Sequence, residues 1–216
     1  MVVVLVSVFG VAMVVAQEEP AAPQEEEREY DAQRDTPVDD ELERLPAYCS
    51  IHPSLDGTGQ YASNMAGTPE RTRWEEYFGD SFQHMHHYCW ALNWLDRAYR
   101  SKVEQYRKNY FEFAAGEFAY VIRNAAPGLT LLPEVHVQKG LTLMLLGQTD
   151  EAVKDYLTAI QIRPDYVPAY SALCDYYLEL GEVDEARKII EAGLVRVPHS
   201  KILNRRLAEM ESEPTS

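Results

Sequence analysis

The sequence predicts an all-α chain: a stack of helical hairpins closed by a capping helix. Three observations carry that reading. Two segments match each other at a fixed offset of 34 residues, one starting at Pro133 and the other at Val167. Glycine and proline punctuate both at the same places, Gly147 with Gly181 and Pro164 with Pro198. Ahead of them, apolar residues recur at helical spacing from about Phe82 to Tyr99 and again from Val103 to Ile122, before Pro127 and Gly128 break the chain.

Taken in order, residues 1–16 read as a signal peptide. Positions 2–16 are nearly all apolar, shorter than the ~20 residues a membrane-spanning helix needs. Val14, Val15 and Ala16 before Gln17 form a small-residue cleavage site. Export to the periplasm, or otherwise out of the cytoplasm, is therefore expected, with an uncleaved anchor as the alternative. Residues 17–44 hold 12 acidic and 3 basic side chains, so −9 of the net charge of −15 lies there. Such a run, poor in apolar residues, is expected to be a disordered acidic linker. From Tyr99 to the end the balance is 17 acidic to 14 basic, so the acidity belongs to the linker and not to the body. The overall charge argues against nucleic acid and anionic membrane surfaces, which need clustered Lys and Arg.

Residues 45–80 read as a loop-rich front segment. Its Asp56, Gly57, Thr58 and Gly59 are too short for a phosphate loop, and no Gly-Lys-Ser/Thr follows. Residues 81–132 read as a degenerate helical hairpin, with Ala114 and Phe118 at its packing positions. Residues 133–166 and 167–200 are the two matched hairpins, and residues 201–212 the capping helix, with Leu203 and Leu207 on one face.

The physics of the matched hairpins is legible. Gly140, Ala152 and Ala159 are small where two helices must approach closely, and Cys174, Ala186 and Gly193 repeat them. Leu143, Tyr156, Tyr170 and Tyr177 fill the remaining space, with Ile190 opposite Tyr156 in register. Gly147 and Gly181 stand where the first helix of each hairpin must stop, and glycine tolerates that left-handed turn. Pro164 and Pro198 prevent the second helix from continuing. Asp150 and Asp184 lie near the start of each second helix, where an acid opposes the helix dipole favourably.

These positions resemble the tetratricopeptide repeat family. The resemblance implies a right-handed superhelical stack whose concave groove binds a protein or peptide. The family's groove positions correspond to Glu134, Val137, Leu141, Met144 and Leu145 in the first repeat. In the second they correspond to Pro168, Ser171, Asp175, Leu178 and Glu179. The Lys and Asn with which some members clamp a peptide carboxylate are replaced by Val137, Leu141, Ser171 and Asp175, so binding of chaperone tails is not expected. The groove suits an apolar ligand with some basic character, such as an amphipathic helix. The alternative is that Val137, Leu141, Met144 and Leu145 are covered by the N-terminal segment.

The front segment carries Leu-Pro-Ala-Tyr-Cys at 45–49 and His-Met-His-His-Tyr-Cys-Trp at 84–90. The combination resembles a group of exported bacterial tetratricopeptide proteins with both elements ahead of the repeats, over roughly residues 45–205. Two readings of its cysteines stand open. Cys49 and Cys89 both follow Tyr and lie outside the repeats, whereas Cys174 holds a buried small-residue position. In an oxidising compartment this favours a disulfide between Cys49 and Cys89. The other reading is a metal or haem site from His84, His86, His87 and Cys89, with Met85 and His52 in reserve. No Cys-x-x-Cys or Cys-x-x-Cys-His motif supports it. The absence of a Gly-x-Ser-x-Gly elbow, a His-Glu-x-x-His pair and a Walker motif leaves no enzyme expected, with an unrecognised site in the front segment as the alternative. No cofactor is expected. The leading expectation is a periplasmic interaction scaffold or assembly adaptor with a protein or peptide partner.

Overall fold

The structure, a computed structural model, describes residues 39–51 and 67–212. The expected signal peptide, residues 17–38 of the linker, His52 and the loop around Gly57 lie outside the described residues. Among the described residues every regular element is helical.

Two short turns, α1 (Asp39–Leu42) and α2 (Ala47–Ser50), lead to α3 (Pro69–Phe78) and a 3-10 turn (Gly79–His84). The front hairpin is α4 (Met85–Arg100) and α5 (Glu104–Asn124). The repeats follow as α6 (Leu132–Leu145) with α7 (Thr149–Ile162), then α8 (Val167–Glu179) with α9 (Val183–Arg196); α10 (Lys201–Ser212) closes the chain. Helices pack in consecutive pairs, and α5 against α6 and α9 against α10 join the pairs into one stack. Where the sequence suggests the end of a linker, Asp39–Leu42 is a turn of helix, because Glu41 is held by Arg97 through two hydrogen bonds of 2.7 Å.

Local chemistry fixes the helix ends. Pro133 and Pro168 sit in the first turns of α6 and α8, where a missing N–H leaves no bond unmade. Gly147 (φ +74°) and Gly181 (φ +75°) terminate the same two helices. Gln148 N–H donates to Leu143 O and Gly147 N–H to Met144 O; Glu182 N–H to Tyr177 O and Gly181 N–H to Leu178 O repeat the pattern 34 residues on. This is the Schellman arrangement, which satisfies carbonyls the helix end would leave bare. Asp150 and Glu151, then Asp184 and Glu185, occupy the first turns of α7 and α9.

The core falls into clusters that differ along its length. In the front hairpin Tyr88, Phe118, Met85 and Ala114 are buried together. In the first repeat Ala152, Tyr156 and Ala159 pack with Leu173 of the second. In the second repeat Tyr170, Cys174, Ala186 and Ile190 close on Leu203 of the capping helix. A Cβ added at Gly140 would strike the ring of Tyr156, so glycine is required by close approach there. Cys174 fills the equivalent place in the second repeat because Ile190 replaces the tyrosine.

Candidate partner-binding groove

The first helices of the repeats, α6 and α8, present the residues expected to line the groove, and the structure sorts them into three groups. Leu141, Leu145 and Leu178 are 40%, 53% and 38% exposed, a high exposure for leucine on ordered helices. Met144 and Ser171 are half-buried beside them, and Pro168 and Glu179 are exposed. The second group is already engaged. Glu134 accepts a 2.6 Å hydrogen bond from the Tyr88 hydroxyl of α4, and Asp175 is bridged by Arg206 of the capping helix, whose Nη2 lies 3.0 Å from Oδ2. Val137 corrects the expectation. It is 4% exposed and sealed in the core of the first repeat, where Ala115 of the long α5 packs on the same cluster.

The front segment meets the groove at Glu134. Cys49 and Cys89, the two cysteines expected to be bridged, stand at bonding distance, S–S 2.06 Å with Cα atoms 5.6 Å apart. Both are fully buried. The bond holds α2 against α4 and so places Tyr48 beside Tyr88, ring centroids 6.4 Å apart. Burial first, and then the neighbouring phenol and the Glu134 carboxylate, push the Tyr88 hydroxyl far above its ordinary value. Tyr48 is pushed up for the same leading reason. Tyr48, Trp74, Tyr77 and Phe78 then form an aromatic wall with neighbouring centroids 4.9–5.8 Å apart. With Leu131, Arg73 and Glu76 they line a cleft of about 560 Å³. Sequence reading passed over α3 because its apolar residues, Trp74, Tyr77 and Phe78, do not form a repeating stripe.

The rings of His86 and His87 lie 4.1 Å apart, but the histidines do not gather as a ligand set. His87 Nδ1 lies 2.5 Å from Glu117 Oε2 and stacks on Tyr120, centroids 3.5 Å apart. His84 Nδ1 faces the Tyr120 hydroxyl at 3.5 Å. Cys89, the only thiolate in the alternative ligand set His84, His86, His87 and Cys89, is consumed by the disulfide and offers no thiolate. Among the described residues no three His, Cys, Asp or Glu side chains gather as a metal site.

A polar cluster that sequence reading missed lies inside the first repeat. His136 Nδ1 stands 2.7 Å from Asp155 Oδ1, and Lys139 Nζ 2.5 Å from Oδ2 of the same carboxylate. His136 and Asp155 are nearly closed to solvent. The three groups tie α6 to α7, and a buried carboxylate with two partners is a satisfied structural link. Only the spacing of 19 residues between His136 and Asp155 joins them in the sequence, and that spacing follows from the hairpin geometry alone.

The helices thus define a class: a repeat protein of stacked helical hairpins, with exposed leucines on the first helices of its repeats. A family model described as tetratricopeptide repeat matches residues 143–204, so the chain carries tetratricopeptide repeats, a domain that serves in general as a protein–protein interaction scaffold. No curated protein and no solved structure matches the chain significantly. No helix among the described residues is long and apolar enough to cross a membrane.

Proposed function

We propose that the protein is an exported scaffold or assembly adaptor that holds a partner helix or peptide along α6 and α8. The observation that carries this reading is the row of exposed leucines, Leu141, Leu145 and Leu178, on the first helices of the two repeats. Glu179 stands exposed beside Leu178, whereas both oxygens of Asp175 are engaged by Arg206, so the face is apolar with an acidic edge at Glu179. Its complement is an amphipathic helix with apolar residues on one side and basic residues at the margins. Export is supported by the apolar residues 2–16 and by the pairing of Cys49 with Cys89, a bond that persists in oxidising compartments.

The test is site-specific photocrosslinking in the producing cells. A photoreactive residue at Leu141 or Leu178 is expected to trap one protein adduct that the same residue at Val195, 77% exposed on the second helix of its repeat, does not trap. The same adducts from all three positions, or none from either leucine, would overturn the groove as the binding face.

A further inference from the structure

The cleft walled by Tyr48, Trp74, Tyr77 and Phe78 has a volume of about 560 Å³, within the roughly 300–1,000 Å³ of small-molecule sites. Its most open ring is Tyr77, 53% exposed. Tyr77 meets Trp74 and Phe78 nearly at right angles, 88° and 83°, and no other ring of the described residues stacks on it. An aromatic face carries the negative side of the ring quadrupole and attracts a cation, the more so where water is excluded. The wall already holds one: the guanidinium carbon of Arg73 stands 5.0 Å from the Trp74 ring centre.

The cleft also carries one charge of each sign. Arg73 and Glu76 line it, three residues apart on α3, and both are exposed. Their neighbours Arg71 and Glu75 close on each other at 2.7 Å, whereas Arg73 and Glu76 form no ion pair among the described residues. A second carboxylate lies behind the wall, where Glu134 accepts the Tyr88 hydroxyl at 2.6 Å. Burial first and then the Glu134 charge raise the Tyr48 phenol, so that carboxylate is felt at the wall. The ammonium of a lysine is strongly hydrated and gains less from such rings than a methylated one, whose surface is carbon.

From the open aromatic face, the excess of carboxylates and the unpaired guanidinium, we infer that this cleft binds a small zwitterion in which a trimethylammonium is joined by a short link to an anion, as in phosphocholine. The methyl groups lie against Tyr77 and Tyr48 with Glu76 as counter-charge, and the anion meets Arg73. The inference stands apart from the partner face of α6 and α8, whose test reads Leu141 and Leu178.

The experiment is a titration of the full chain, disulfide intact, followed by NMR of the indole N–H signals of its three tryptophans, with Trp74 assigned from Trp74→Phe. Choline and phosphocholine are expected to shift the Trp74 signal saturably, phosphocholine at the lower concentration. Dimethylbutanol, the neutral carbon analogue of choline, is expected to bind about tenfold more weakly than choline. Tyr77→Ala is expected to weaken choline by a similar factor, and Arg73→Gln to remove the advantage of phosphocholine while leaving choline bound. Co-sedimentation with phosphatidylcholine vesicles would assign the same chemistry to a lipid headgroup, and its absence to the free zwitterion. Equal binding of the neutral analogue would overturn the inference. So would a saturable shift confined to Trp90 or Trp94, no saturable shift at all, or an affinity for choline unchanged in Tyr77→Ala.

Discussion

In the repeats, residues 133–200, the packing positions and helix-ending turns return 34 positions apart; among the described residues of the front half no such period is seen. Gly140 against Tyr156 becomes Cys174 beside Ile190, and the two helix-ending turns share the same pair of closing hydrogen bonds. The front half is joined instead by single long-range links: a disulfide across 40 residues, an Arg97 to Glu41 ion pair across 56, and a Tyr88 to Glu134 hydrogen bond across 46. Small apolar fits repeated along the chain make one half cohere; in the other, an unrepeated apolar cluster around Tyr88 and Phe118 is supplemented by individual staples. A repeat stack distributes its stability over neighbouring interfaces, whereas a stapled segment concentrates it in a few bonds.

The strongest way to break that contrast is to remove the main staple. Cys49→Ser with Cys89→Ser is expected to lower stability by about 3–4 kcal/mol on the chain-entropy account of a loop this long. Hydrogen exchange is expected to quicken in α1, α2 and α4 while α8 and α9 keep their protection. Equal loss of protection in α9 would mean that the halves are one cooperative unit.

The repeat half is best tested by converting one repeat's packing into the other's. Tyr156→Ile is expected to cost about 1–3 kcal/mol by leaving a cavity, and Gly140→Cys a similar amount by overfilling the site against the tyrosine ring. Together they recreate the pair found at Cys174 and Ile190, so the double variant is expected to lose less than the sum, with a favourable coupling of about 0.5–3 kcal/mol in chemical denaturation. Strict additivity would mean that the two sites do not share one space.

The smallest expected effect lies where the halves meet. Tyr88→Phe removes the hydroxyl that Glu134 accepts and is expected to cost about 1 kcal/mol near neutral pH, Glu134 being partly open to water. The pH dependence sharpens it. Burial raises the folded-state phenols of Tyr48, Tyr88 and Tyr156, so each contributes stability that is intact below about pH 10 and is lost as pH climbs from there. The melting temperature is therefore expected to drop above about pH 10. The drop should be shallower in Tyr88→Phe than in the parent; an identical slope would show that Tyr88 does not contribute to it.

How much of this was legible in the sequence follows from the same contrast. A period writes its contacts twice, so Ala152 with Ala186 and Gly147 with Gly181 identify themselves without a structure. Val137 failed because it is sealed in the core of the first repeat, in the cluster on which Ala115 of α5 packs. The links to Arg97 and between His136 and Asp155 were invisible, because pairing of one charge with another distant one leaves no periodic trace. The cysteines were legible as a pair by elimination, since Cys174 sits where the repeat needs a small residue. The aromatic wall of Trp74, Tyr77 and Phe78 was not, because its partner Tyr48 arrives from a separate short turn.

The bond between Cys49 and Cys89 also makes part of the backbone dispensable to covalent integrity. Residues 52–66 lie inside the ring that it closes. A single peptide cut anywhere in that interval opens the ring without releasing either piece. A protease in the surrounding compartment would yield a two-chain molecule that keeps the mass of the intact protein plus one water and separates only under a reductant.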